Sequence, residues 1–499
     1  PSVAKGRELD RRLLAALTNG NQPEAERLRT EIARTGEALS AADTALRRQF
    51  PDYAELVQPR ALSVADTRSR LAADEALLLV VPVGDDIFSF GVSKDKLVWN
   101  RLSGGTAKAV KAIALLHCQI DPGPCAASLS DAELTAGAAP NSAFLADQLS
   151  AYDRASAFAL YRDLVAPVEV AFAGKTRLFV TVTGALGGLP LGVLITQPPA
   201  PGEDGADPTV LANSAWLADR YAMVALPSVS VLRALKRKPV DARGAAVFVG
   251  YGAPVLAGAG AGGSSAKGTR LFQSVDADGA AIADPEVLRM LDPLPGTARE
   301  LAAMASALKA PAKDVLLGAA ATETAVRGDP SLARARIVAF ATHGILPREV
   351  SGIEEPGLVF TPPATASAGD DGLLAASEVS RLTMSADWVL LSACNTASSD
   401  GTPGADSLSS LARSFLYAGA AALLASHWRV SDEATAALTV ETLSGRSEGG
   451  LTRAEALQRA MRAVRTGKRA DGTAVKGWDE SWAHPAAWGA FAVISNADD

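Results

Sequence analysis

An α/β sandwich with a largely parallel sheet is the fold this sequence predicts. Three observations predict it. Apolar runs of strand length recur along most of the chain, stretches of helix length separate them, and the alternation begins twice, after residue 75 and again after residue 268. Strands separated by helices need crossovers, and crossovers make neighbouring strands parallel. At 499 residues with 48% hydrophobic side chains, the chain has material for two to four conventionally buried cores.

The first 70 residues read differently, as a helical hairpin. Pro23 suits the first position of a helix, and Ala25, Leu28, Ile32, Leu39, Ala42 and Leu46 follow as an apolar seam among Glu and Arg. Such a seam needs a cover, either the body of the protein or further helical repeats. Residues 77–83 and 87–92 flank Gly84-Asp85-Asp86 and predict a β-hairpin. A helix-compatible stretch at 145–170 leads to a buried strand at 178–182, and further strands are expected at 222–226 and 245–250. Residues 253–268 are almost entirely Gly, Ala, Ser and Pro, a linker or surface loop. Beyond it, Gly296 opens a helix to about residue 308, and strands are expected at 315–317, 337–340, 358–360, 388–391 and 421–425. Helices starting near 323 and 408 fall between them. The expected division is a helical segment 1–70, an α/β unit 71–252, a linker 253–268 and a second α/β unit 269–499.

A formal charge of -7 gives no general attraction for nucleic-acid phosphates or anionic lipid, so a peptide or protein partner is easier to accommodate. The N-terminal helices are a natural place for a regulatory protein. No apolar run reaches the roughly twenty residues that span a bilayer, and no signal-peptide core follows Pro1. Because the sequence starts at Pro1 and not at a methionine, residues are expected to precede it. No cofactor or metal is expected. The Gly-rich stretch lacks the Gly-Lys-Ser/Thr of a phosphate loop, and His117 alone accompanies Cys118 and Cys125, short of a zinc set. Cys118 and Cys125 flank a turn, which permits a local disulfide or two unrelated thiols. A disulfide would imply an oxidising compartment such as the periplasm; the cytoplasm is the default otherwise.

Chemistry concentrates at two strand ends. Ala341-Thr342-His343-Gly344 follows the apolar run 337–340, and Ser392-Ala393-Cys394-Asn395-Thr396 follows the run 388–391. A thiol with a pKa near about 8.5 is only a few per cent thiolate at neutral pH, so a cysteine hydrolase needs a base beside it. A cysteine after an apolar strand is usually a small buried hydrophobe. Here small polar residues surround it, backbone NH groups become available where the strand ends, and Gly344 allows close approach to a bound carbonyl. A caspase histidine also lies about fifty residues upstream of its cysteine.

Together with Leu294-Pro295-Gly296-Thr297 and Glu300, with residues 411–420 (LARSFLYAGA) and with Ser426-His427-Trp428-Arg429-Val430-Ser431-Asp432, these segments resemble the CHAT domain. That family is a caspase-like cysteine peptidase family related to separase, often fused to tetratricopeptide repeats and familiar in bacterial proteins. The resemblance covers roughly residues 70–495. In the first unit, Leu189-Pro190-Leu191 and Leu226-Pro227-Ser228 are similar to the family's inactive half. The resemblance implies a caspase-like three-layer sandwich, a pseudo-caspase unit followed by a catalytic one. It implies a cysteine endopeptidase in which Cys394 attacks the peptide carbonyl to form a thioester and His343 assists proton transfer. The NH groups of Gly344 and Cys394 would form the oxyanion hole. Asp432 falls where separase carries an acidic residue facing a basic P1 side chain, or it serves the N-terminus of the helix it precedes.

The other histidines carry less. His427 is expected to be satisfied by backbone groups at a strand end, and His484 belongs to a tryptophan packing segment, Trp482-Ala483-His484-Pro485-Ala486-Ala487-Trp488. Two alternatives share the fold: a catalytically silent CHAT scaffold for protein–protein interaction, and a cysteine hydrolase or transferase acting on other acyl groups. The stretches 351–357 and 361–372 after His343 are candidates to rearrange on activation, or plain surface loops.

Overall fold

The structure is a computed structural model, and it describes residues 12, 22–49, 61–122, 151–233, 247–258, 274–275, 281–346, 353, 355–367, 369–393, 410–428, 430–447 and 450–495. Cys125 and Cys394 lie outside these residues. The chain forms two compact units, Pro1–Ala61 and Leu62–Asp499. The first contains α1, Gln22–Gln49. Along its expected seam Leu28 is buried and Ile32 half-buried. Of the rest of the expected helical segment, residues 1–11, 13–21 and 50–60 lie outside the described residues, and Val64–Arg70 is a short helix.

The second unit is mixed α/β around one large sheet. Its strands in chain order begin with β1 (Glu75–Val83), β2 (Asp86–Ser93), β3 (Leu97–Leu102), β4 (Arg177–Val182), β5 (Ala222–Ala225) and β6 (Phe248–Gly252). A two-stranded ribbon, β7 (Ser274–Val275) and β8 (Ala281–Ile282), comes before β9 (Val315–Leu317) and β10 (Ile337–Ala341). A small three-stranded sheet is made by β11 (Gly344–Ile345), β12 (Gly357–Val359) and β13 (Leu373–Ala375). The last strands are β14 (Trp388–Ser392), β15 (Ala422–Ser426) and β16 (Phe491–Ser495).

The large sheet has eleven strands in the order β3-β2-β1-β4-β5-β16-β15-β14-β10-β6-β9. The expected hairpin is β1 and β2, antiparallel with Val83 opposite Asp86. From β1 to β16 neighbouring strands are parallel, and from β15 to β9 they are parallel again. The two blocks run in opposite directions and meet at the antiparallel pair β15 and β16.

This topology changes the expected division of the chain. Strand β6, assigned from the sequence to the first unit, pairs with β10 in the second block. Strand β16, the last of the chain, pairs with β5 in the first block. The 252/253 boundary thus cuts through the second block, and the start of the stretch expected as a linker is hydrogen-bonded: Ala257 NH to Arg289 O at 2.8 Å and Gly258 NH to Leu291 O at 3.2 Å. Gly, Ala and Pro composition marks a backbone without large side chains, and such a backbone can be pinned by its own NH groups.

The second block is layered. Val249 and Tyr251, Val338 and Phe340, Val389 and Leu391, and Leu423 and Ala425 alternate along their strands and join one buried cluster with Leu411, Phe415 and Leu416 of α3 (Ser410–Ala418). The intervening positions face α2 (Pro295–Ala307): a Cβ at Gly250 would meet Leu301 at 3.1 Å, and one at Gly252 would meet it at 2.8 Å. Side chains of period two therefore place a helix on each face, which makes three layers. Two further helices complete the site region, α4 (Asp432–Ser447), which packs on α2, and α5 (Arg453–Thr466), which packs on α4.

Candidate active site

Strands β10 and β14 are parallel neighbours in a register that sets Ile337 opposite Trp388 and Ala341 opposite Ser392. One chain therefore reaches Thr342 and His343 at the level where the other reaches Ala393. Both ends are held. The Thr342 hydroxyl donates to the Val359 carbonyl, and the Ser426 hydroxyl at the end of β15 donates to the Ala393 carbonyl at 2.8 Å. Cys394, the next residue, lies outside the described residues, as does its NH.

The imidazole of His343 has its Nε2 2.7 Å from the backbone carbonyl of Asp292. A carbonyl oxygen accepts only, so Nε2 carries the proton and Nδ1 is the basic atom of the neutral ring. No third acidic partner is needed to set the tautomer. Asp292 in turn is positioned by its neighbours, because residues 257 and 258 bind the Arg289 and Leu291 carbonyls and Leu288 is buried beside Ile345, Val359 and Leu373. Asp292 is the site residue that sequence reasoning missed. A contribution from a backbone carbonyl leaves no side-chain signature.

Gly344 opens β11 opposite Leu358, and the His343 carbonyl accepts from Val359 NH at 2.9 Å. The small sheet thereby anchors the loop that carries the histidine. Part of the 361–372 stretch is anchored too: the buried Glu323 accepts from Asp371 NH at 3.0 Å and from Gly372 NH at 3.3 Å, and Thr324 donates to Asp370 at 2.6 Å. Burial pushes the Glu323 carboxyl up to about 7.

A second group of acids stands behind the β14 end. The Ser392 hydroxyl donates to Glu300 Oε2 at 2.9 Å, and Glu300, on α2, is 2% exposed with its other oxygen, Oε1, unpartnered among the described residues. Burial, opposed by the serine and reinforced by the Asp432 charge, raises the Glu300 carboxyl to about 8. It is mostly protonated at neutral pH. Sequence reading quoted Glu300 only as part of a motif. Its burial follows from the packing of α2, which the motif does not reveal.

Asp432 is the first residue of α4, and the preceding Ser431 caps that helix, its Oγ accepting from Ala434 NH at 3.3 Å. The Asp432 carboxylate lies against Gly296 at the start of α2: a Cβ there would fall 1.7 Å from its Oδ2. Only glycine admits this approach. Positive partial charge at a helix N-terminus attracts a carboxylate, and Asp432 stands beside two of them, that of α2 and that of its own helix α4.

His427 NH donates to the Ala490 carbonyl at 2.9 Å, and burial lowers its imidazole to about 3, so it is neutral. His484 caps the short helix Pro485–Trp488 through Nδ1 on Ala486 NH, between the buried Trp482 and Trp488. Cys118 lies in the helix Thr106–Ile120 and is disulfide-bonded, its partner lying outside the described residues. Among the described residues no group of three or more His, Cys, Asp or Glu could hold a metal ion, and no helix is long and apolar enough to cross a membrane.

Several solved structures share features of this fold at low similarity. The Saccharomyces cerevisiae separase–securin complex aligns at a TM-score of 0.42 and 10% identity, over 95% of this chain and 32% of the other, so the chain spans about a third of that relative. The Arg-specific cysteine proteinase gingipain R aligns at 0.32 and 11% identity, over 68% and 66% of the two chains. In the complex of Porphyromonas gingivalis RgpB pro- and mature domains the values are 0.30, 12%, 64% and 64%. No curated protein sequence matches the chain. The family description "CHAT domain" matches residues 154–496, well over half the chain and including His343, Glu300, Cys394 and Asp432; the protein belongs to the CHAT-domain family.

Proposed function

We propose that this protein is a cysteine endopeptidase that cleaves a partner protein with His343 and Cys394. The observation that carries the proposal is the orientation of His343. His343 follows the end of β10, beside the strand that leads to Cys394, and its Nε2 is tied to the Asp292 carbonyl. In this reading Nδ1 takes the thiol proton, the thiolate adds to the peptide carbonyl, and the imidazolium returns the proton to the leaving amine as the thioester forms. Water then hydrolyses the thioester. The NH groups of Gly344 and Cys394 would receive the oxyanion, and removing one such donor typically costs about a hundredfold or more. Asp432 is the proposed selector of a basic P1 residue, and a partner on the N-terminal helices the proposed regulator.

A peptide-library cleavage assay comparing wild type with Cys394→Ala tests the proposal. Loss of cleavage in the variant supports it, and equal cleavage by both overturns it in favour of a silent scaffold. The cysteine pairing provides a second test. We propose that Cys118 pairs with Cys125, so non-reducing peptide mapping should recover that cross-link with Cys394 free. Recovery of a Cys118–Cys394 peptide would sink both the pairing and the nucleophile.

A further inference from the structure

One face of α5 lines a cleft of about 580 Å³ together with the turn that follows the helix and with Asp219, and His343 is not among the lining residues. Arg459, Arg462, Lys468 and Arg469 all line it. Arg469 is paired with Glu441, its Nε 2.7 Å from Oε1. Asp219 is also spoken for: the buried Arg465 places Nη2 2.8 and 2.9 Å from its two oxygens. Arg459, Arg462 and Lys468 are exposed, and none has a carboxylate within ion-pair reach among the described residues.

Three uncompensated cations thus gather at one cleft of a chain whose net charge is -7. Cations near a helix C-terminus complement its dipole, which accounts for Arg462 and Lys468 around the end at Thr466. It does not account for Arg459, about two turns earlier. Arg459 and Arg462 are three residues apart and so project from the same side of the helix. Their spacing suits more than one anionic oxygen, and guanidinium forks suit phosphate.

A second observation narrows the ligand. Trp478 is 38% exposed and rests on Gly467, where a Cβ would lie 2.6 Å from its ring. Its Nε1 donates to the Val464 carbonyl at 2.7 Å, which fixes the ring. Gly467 stands between Thr466 and Lys468, both of which line the cleft. Trp478 does not itself line the cleft; it packs on Gly467, whose two sequence neighbours do, and stacking on an exposed aromatic ring is sequence-tolerant for any nucleobase. A volume of 300 to 1,000 Å³ is usual for small-ligand sites.

We infer that the cleft formed by Arg459, Arg462 and Lys468 binds the oligophosphate of a nucleotide, with the base against Trp478. This site is independent of the proposed peptidase chemistry. Isothermal titration of the full chain with adenosine triphosphate, inorganic tripolyphosphate and a poly-glutamate peptide tests it. Adenosine triphosphate should bind about tenfold tighter than tripolyphosphate, and Arg459→Glu/Arg462→Glu should weaken both at least about tenfold. If that double variant unfolds, Lys468→Glu, which lies outside the helix, takes its place. The assignment is overturned if neither phosphate compound binds, if the charge-reversed protein binds as well as wild type, if tripolyphosphate matches the nucleotide, or if poly-glutamate binds more tightly than either.

Discussion

In the block β1, β4, β5 and β16, the strands run out into Gly84, Thr183-Gly184 and Leu226-Pro227-Ser228. In the block β15, β14, β10, β6 and β9, they run out into Thr342-His343-Gly344 and into Ala393, the residue before Cys394. Both blocks are parallel, both are buried, and they share one sheet. A parallel sheet supplies a row of strand ends with free backbone groups and loops, and what it does there depends on the side chains placed on them. The second block carries an imidazole with a set tautomer and a buried acid behind it. Among the described residues the first carries neither at its strand ends, and its β5 pairs with the C-terminal strand.

The sharpest way to break this comparison is His343→Ala. Peptide cleavage should fall by about a thousandfold or more while the far-ultraviolet spectrum and unfolding midpoint stay near wild type. Retained cleavage would place the chemistry elsewhere, the first block included. Phe340→Ala tests the layering of the second block. Phe340 is fully buried, stacked on Tyr251 at 5.4 Å and tilted against Phe415 at 5.3 Å, so the loss should be about 3–5 kcal/mol in denaturant unfolding. Trp99, 60% exposed on the edge strand β3 of the first side, should tolerate alanine within about 0.5 kcal/mol.

Glu300→Gln sharpens the comparison through pH. The folded carboxyl titrates near 8 against an ordinary 4.5, so the folded state holds a proton that the unfolded state has released between those values. Stability therefore falls as pH rises from about 4.5 to about 8, by roughly 5 kcal/mol from this group, and flattens above. Urea midpoints of the glutamine variant should lack that component, while a parallel decline in both proteins would show that Glu300 is not its source. For Asp432→Asn the expected effect is on specificity. If Asp432 faces a basic P1 residue, cleavage after Arg or Lys should drop by about a hundredfold with aliphatic sites unaffected. A uniform small drop would confine Asp432 to its place at the α2 N-terminus.

Local pattern was enough to read β1, β2, β4, β10, β14 and β15, because alternation and turn residues act over a few neighbouring positions. The strand-end setting of His343, and that of Ala393 just before Cys394, were legible for the same reason, and so was the cap on α4, since Ser431 bonds within three residues. Their family was legible in the surrounding segments. Only the tertiary structure decided which strands are neighbours: β6 left the unit it follows in sequence and β16 returned to the first block. It also decided that the Asp292 carbonyl orients His343, that Glu300 is buried, and that Asp432 meets Gly296. Each of these joins residues distant in sequence through backbone groups or through removal from water. Residue type does not encode either one, and both arise when the layers close.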